Sequence, residues 1–328
     1  MSVIALVATI AFVLVHLAPG DPVSGTLDDP RVPEAVRQHW RHVYGLDRPV
    51  AEQYLRYVAG VARGDFGYSI AHAEPVRAVL ARALPNTVLL AGVALFLSFT
   101  AGIAVGAAQA MRPGSPADRV LGAGLLAVYS IPDFWLAQLA ILTLAYWIPV
   151  FPVGGVVDPI LHPYLGGVAG AIDRLRHLVL PALTLAALAM APVARYQRSA
   201  LLDVSGEDYL RTARAKGLSE RSVILRHALR NALLPVITLF GLALPAFLGG
   251  QVFVEKVFSW PGLGAAAIDA VNARDYAVVV ACAIVTSALV AVGSAAADVL
   301  YAVADPRVRG QDARPSARRL LGELAARA

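Results

Sequence analysis

Asp133 follows Pro132 inside a long apolar stretch, with Trp135 and Gln138 shortly after it. A carboxylate within a membrane-length apolar run is costly and marks a functional position by default. The proline before it removes a donor and frees backbone groups that need partners. Two readings stand. Either Pro132, Asp133, Trp135 and Gln138 line a wet path, where the carboxylate meets an amino group or polar backbone, or Asp133 accepts hydrogen bonds from the broken helix around it. Asp298, the other acid in an apolar run, lies near the end of its stretch and reads as a packing or interfacial residue. The sets that support catalysis are missing. There is no H-E-x-x-H, and the seven histidines form no i, i+4 pair suited to a metal, so no metal site is expected. The serine pattern Gly67-Tyr68-Ser69 lies in a polar segment, whereas a hydrolase within a membrane needs a buried Ser–His pair. Cys282 is the sole cysteine, which excludes an intramolecular disulfide or thiolate cluster. It reads as a small packing residue, and the chain does not read as an enzyme.

The elements that must position these residues follow from composition. Of 328 residues, 58% are hydrophobic and 16% charged, against about 25% charged in an ordinary soluble domain. Mean hydropathy is +0.63. A soluble core cannot absorb that much apolar surface, so the chain is expected to be all-α and to cross a membrane several times. The net charge of +5 reads as basic residues gathered on the cytoplasmic side rather than as nucleic-acid binding. Six runs approach the roughly 20 residues a crossing needs: 2–18, 88–111, 120–150 (broken by Pro132), 178–195 (with Pro181 and Pro192), 233–254 and 276–304. The first lacks a basic leader and a small-residue cleavage site, so it reads as a retained helix rather than a signal peptide. It is short, which leaves open a start further upstream.

Six crossings place both ends on one side. With the termini inside, the inner segments 111–119, 194–231 and 304–328 carry 16 Lys/Arg and 8 Asp/Glu, and the outer segments carry 12 and 13. The basic excess inside agrees with the positive-inside rule. The domains are then a first transmembrane helix (1–18), an extracytoplasmic helical cap (19–87), a five-helix core (88–310) and a basic cytoplasmic tail (311–328). In the cap, 33–44 and 50–62 read as short amphipathic helices with Trp40, Tyr54, Leu55 and Val58 as the apolar side, and 75–83 reads as a third. The cap is either a lid packed on the membrane face or a docking surface for an external partner.

The most informative stretch is 194–235, polar and basic yet helical in pattern. Glu207–Lys216 reads as one helix ended by Gly217, since glycine serves where a helix must turn through positive φ. Ser219 caps a second helix that reaches Pro235 at the next span. Two short helices across the cytoplasmic ends of two spans make a rigid lever for motion from a cytosolic partner. The alternative is a basic loop held at anionic headgroups.

This segment resembles the cytoplasmic signature of the permeases of binding-protein-dependent ABC importers, in which an EAA-like stretch precedes a glycine and the loop closes on Leu-Pro. Here the stretch is Arg211, Thr212 and Ala213, followed by Ala215, Lys216, Gly217, Leu218 and Ser219, and then Leu234-Pro235. An arginine stands at the acidic first position and the segment to Pro235 is longer. Both departures resemble the branch that imports di- and oligopeptides. Further motifs in order support that branch: LAPGDPV (17–23), YGLDRPVAEQYLRYV (44–58), GDFGYS (64–69), SIPDFWLAQLAI (130–141), HLVLPALTLA (177–186), VFSWPGLG (257–264), RDY (274–276) and ADPRVRG (304–310).

The resemblance implies a type I importer permease fold in the bacterial inner membrane. It also implies a half-channel paired with a homologous second permease, two cytosolic ATPase subunits and an extracytoplasmic solute-binding protein. No G-x-x-x-x-G-K-[ST] phosphate loop occurs in the chain, so no cofactor is expected in it, and ATP and Mg would be bound by the ATPases. Membrane lipid is an expected partner and nucleic acid is not. Competing classes are a stand-alone secondary transporter, which should show inverted repeats and several intramembrane ionisable groups, and a structural subunit of an export complex. The cargo, whether dipeptide, oligopeptide, nickel chelate, glutathione or haem, is not legible.

Overall fold

The computed structural model describes residues 2–17, 38, 47–219, 222–249 and 251–304. It is helical apart from a two-stranded antiparallel hairpin, β1 (Tyr68–Ser69) with β2 (Glu74–Pro75). Helix α1 spans Ser2–Leu17 and α2 spans Val50–Ala62. Pro49 starts α2 at φ −54°, where its missing N–H costs nothing. Glu52 is flanked by Arg48 and Arg56 one turn away on either side, at 2.5 and 3.2 Å. The apolar side of α2 is only in part the one the sequence pattern indicates. Leu55 and Val58 are exposed, whereas Tyr54, as expected, and also Tyr57 turn their rings to Phe12 of α1 at centroid distances of 5.3 and 5.4 Å. Tyr54 Oη lies 2.8 Å from Thr9 Oγ1. The helix expected over 33–44, with Trp40, lies outside the described residues except for residue 38.

Helix α3 runs unbroken over Val76–Met111, so the short helix expected over 75–83 and the second span are one element. Pro85 removes only one N–H. Burial of Val76, Val79, Leu80 and Ala83 against Leu263, Ala270, Val278 and Cys282 holds the first turns. The third span is the reverse case. Helix α4 (Pro116–Tyr129) stops, and the chain bends by 103° before α5 (Asp133–Ile141) and a wider turn over Leu142–Trp147. Pro132, at φ −57° and ψ 141°, cannot continue a helix, and Ser130 and Ile131 close tight bonds back to Ala127 and Val128. The stretch 120–150 is therefore not one straight crossing.

Helix α6 extends over Gly167–Ser205, well beyond the apolar run 178–195. After α7 (Asp208–Ala215), a wide turn over Val223–Ala228 leads into α8 (Leu229–Ala232) and α9 (Leu234–Gly249). The second helix of the basic segment thus joins the fifth span, and residues 226–249 together are apolar and long enough to cross a membrane. Two short helices, α10 (Val252–Val257) and α11 (Leu263–Asn272), precede α12 (Tyr276–Ala304). Among the described residues four helices are long and apolar enough to span, or five if the bent pair is one crossing. Helix α1, at 16 residues, falls short of that length.

The chain divides into two compact units whose boundaries fall near 98, 126, 189, 245 and 291. In the first, the core around Val76, Leu263, Val278 and Cys282 lies beside a second cluster of Leu90, Leu178, Ala182 and Trp260. Cys282 is buried there as the packing residue its surroundings suggest. In the second unit, Leu201, Leu210, Val223, Ala228 and Ala232 form the core. A Cβ on Gly106 would lie 2.4 Å from the carbonyl oxygen of Ala194, so close contact between α3 and α6 there requires glycine.

Candidate functional site

The basic segment of the second unit folds as two arms around a glycine corner. Leu210 and Ala213 on α7 bury against Ala107, Leu201, Val223, Ile224 and Ala228. The helix ends as the Gly217 N–H reaches Arg214 O at 2.9 Å, with Gly217 at φ +80°. Nothing lies within 4 Å of a Cβ built on Gly217, so its backbone angle and not space selects glycine. Ser219 accepts the Ser222 N–H through its carbonyl at 2.8 Å. Asn231 Nδ2 donates to Tyr209 Oη at 2.9 Å and ties the second arm to the first. Of the expected coupling residues, Ala213 faces the core, whereas Arg211, Thr212, Ala215, Lys216, Gly217, Leu218 and Ser219 are exposed. The arrangement is a braced corner with a polar outer face.

Beside it lies a pair the sequence reading missed. Arg198 grips Asp118 with two parallel bonds, Nε to Oδ1 at 3.0 Å and Nη2 to Oδ2 at 2.8 Å. Gly114 N–H and Gln109 Nε2 also donate to this carboxylate. The Arg198 guanidinium, then the Gly114 amide, hold the Asp118 carboxyl at about 2. The signal was present: Ser115-x-x-Asp118 is a helix-start pattern, and the Asp118 N–H does reach Ser115 Oγ at 3.2 Å.

In the first unit, Asp133 is the first residue of α5 rather than the middle of a helix. Its Oδ1 accepts the Phe134 N–H at 2.8 Å, as the local reading expects of a carboxylate at a helix start. Asp133 is half-buried, and Pro132, Trp135 and Gln138 are exposed.

Two further carboxylates of this unit organise the motif segments. Ser69, from GDFGYS, is fully buried and donates to Oδ2 of Asp275, from RDY, at 2.6 Å across 206 residues of sequence. The Ala71 N–H donates to the same oxygen, and the Val278 N–H to Oδ1. His72, itself exposed, places Nδ1 3.0 Å from Ser69 Oγ, so this contact is not the buried Ser–His pair that a hydrolase within a membrane needs. Its geometry is that of a latch and not a triad: the one serine proton goes to Asp275, leaving His72 none to abstract. Glu255 carries the other cluster. Thr87 Oγ1 donates to its Oε1 at 2.7 Å, Ala265 N–H donates to its Oε2 at 3.0 Å, and Thr87 accepts the Leu263 N–H at 2.8 Å. A Cβ on Gly262 would sit 2.1 Å from Glu255 Oε1, which explains a glycine in VFSWPGLG. Burial pushes the Glu255 carboxyl up, while the Thr87 hydroxyl and the amides of Ala265 and Gly264 pull it back.

The family described as the binding-protein-dependent transport system inner membrane component matches residues 79–310, and its N-terminal companion matches residues 1–91. The chain belongs to this family. Among its relatives, the chain is 42% identical over 303 residues to the oligopeptide transport system permease protein AppB of Bacillus subtilis, covering 92% of this chain and 94% of that one. It is 38% identical to the di/tripeptide transport system permease protein DppB of Pseudomonas aeruginosa, over 93% and 94% of the two chains. It is 39% identical to the oligopeptide transport system permease protein OppB of Mycobacterium tuberculosis, over 93% and 95%. A permease of a binding-protein-dependent importer is a transport subunit and not an enzyme. The braced corner, the bent pair α4–α5 and the two carboxylate clusters are features of this permease.

Proposed function

We propose that this permease forms half of an ATP-driven import path for peptides or related small solutes. It would pair with a homologous second permease, two cytosolic ATPase subunits that bind ATP and Mg, and an extracytoplasmic binding protein. The braced corner at Gly217 carries the reading. Packed arms tied by Asn231 and Tyr209 suit transmission of motion from a moving partner, and Arg211, Thr212, Lys216 and Ser219 lie exposed to meet one. Closure of the ATPases would displace the corner and shift the permease between two states, with ATP binding favouring one of them. The names of the relatives support peptide cargo. We take the termini as cytoplasmic on the charge count and α1 as the first of six crossings. At about 24 Å from the helical rise, α1 can be accommodated by local bilayer thinning. Pro132, Asp133, Trp135 and Gln138 are proposed to border the path.

The test is reconstitution of the assembled complex in vesicles with its binding protein loaded in turn with dipeptide, oligopeptide, nickel chelate, glutathione or haem. Uptake should require ATP, and loaded binding protein should stimulate hydrolysis. Uptake driven by an ion gradient without ATP would establish a secondary transporter instead.

A further inference from the structure

The first unit encloses a cavity of about 370 Å³ between the end of α1, α2, the segment before β1 and the start of α12. Phe12, Val15, Phe66 and Val280 supply apolar wall. Two polar groups on its lining are unused. Tyr57 Oη is buried without a hydrogen-bond partner, a state that ordinarily costs free energy until an acceptor arrives. Burial pushes this phenol up to about 12, so it remains a protonated donor. Arg274, held at φ +56°, lines the same space; its backbone N–H reaches Val271 O, and its guanidinium forms no ion pair or hydrogen bond among the described residues. The other charged groups are engaged. Asp275 is taken by Ser69, Ala71 and Val278, Asp65 accepts the Gly67 N–H, Arg56 pairs with Glu52, and His16 lies against Phe12 O and Gln53.

Among the described residues the cavity therefore offers one free cation, one free hydroxyl donor and an apolar floor. It lies where two apolar helices end, the depth at which headgroups meet acyl chains. Ile10, Val13 and Leu14 of the neighbouring α1 are exposed, which continues apolar surface beside it. We infer that this cavity holds an anionic phospholipid, its phosphate against Arg274 and Tyr57 and part of an acyl chain against Phe12, Val15 and Val280. A peptide fits less well, because its ammonium group would find both lining carboxylates already bonded. The inference rests on reading α1 and α12 as membrane helices, but not on which leaflet they meet, since either leaflet can supply the lipid.

Native mass spectrometry of the assembled complex, titrated with phosphatidylglycerol or phosphatidylethanolamine, tests it. The wild type should retain the anionic lipid about tenfold better, because the phosphate is common to both lipids and the added ammonium of phosphatidylethanolamine is repelled by the Arg274 guanidinium. Arg274→Gln should abolish that preference, and Tyr57→Phe, which removes one oxygen and leaves the ring packing, should weaken retention of both lipids. Val280→Phe should exclude lipid by filling the space. Inorganic phosphate should fail to displace the lipid; displacement by phosphate alone would make this a free-anion site and overturn the inference. Displacement by a dipeptide would overturn it in favour of cargo. Equal retention by wild type, Arg274→Gln and Tyr57→Phe overturns it as well. Normal ATP-dependent uptake by a wild-type complex that retains no phospholipid sinks this inference alone and leaves the transport reading standing.

Discussion

Thr87 serves two buried groups at once, donating to Glu255 and accepting from the Leu263 amide. Thr87→Val keeps the shape and strands both, at about 1–3 kcal/mol for each buried group left without a partner. Thermal unfolding of the purified complex should show a clear loss for Thr87→Val and near wild-type behaviour for Thr87→Ser; equal melting of all three would remove Thr87 from this role. Asp118 behaves differently with pH. Its folded carboxyl is held at about 2, below the ordinary value of roughly 3.9. Its contribution is therefore complete above the unfolded value and is lost only as pH falls towards 2. The melting difference between wild type and Asp118→Asn should stay level from about pH 5 to 8 and shrink only in stronger acid. A difference that changes through neutrality would mean that another group titrates there. Asp133 is tested by charge. If it borders the path, Asp133→Asn should lower uptake of free-amino cargo with assembly intact. If it only starts α5, the amide oxygen can still accept the Phe134 N–H and uptake should be unchanged.

At the scale of elements, the corner between α7 and α8 depends on one backbone angle. Left-handed backbone costs an L-residue roughly 1–2 kcal/mol, and a β-branched residue more. Gly217→Val should depress binding-protein-stimulated ATP hydrolysis while the permease still inserts, and Gly217→Asn, which tolerates that angle, should retain more of it. Unimpaired stimulation in Gly217→Val would take the corner out of coupling. This corner was legible in the sequence because glycine after a polar helical run has one strong local meaning. The limits of α2 and α12 were legible for a similar reason: Pro49 and Ala62–Gly64 bracket one, and a long apolar run defines the other. The elements that were misread depend on distant partners. The short helix expected over 75–83 and the span from 88 are one element because Leu263 and Val278 bury the turns Val76–Ala83. The side of α2 that packs was read in part: Tyr54 finds Phe12 as expected, but Tyr57 joins it there, whereas Leu55 faces outward. Glu255 gave no local sign of burial, since its partners Thr87 and Ala265 lie elsewhere in the chain.

For the molecule as a whole, the charge asymmetry predicts a direction that accessible cysteines can check. Ser69 is buried and engaged by Asp275, so exposed Arg63 is the better outer probe, with exposed Lys216 the inner one. In a Cys282→Ala background, an impermeant reagent on intact cells should modify Arg63→Cys and not Lys216→Cys. Labelling of Lys216→Cys under those conditions would invert the topology. The Ser69–Asp275 latch also sets a timetable for biosynthesis. Its two halves are 206 residues apart, and chains grow at about 5–20 residues per second. The hydroxyl of Ser69 therefore waits about 10–40 s for the carboxylate that will cover it. During that interval, the turns Val76–Ala83 also lack the face of α12 that buries them. A ribosome that stalls before Asp275 leaves this polar site and its adjoining apolar turns open, a ready mark by which cellular quality control can tell an unfinished chain from a completed one.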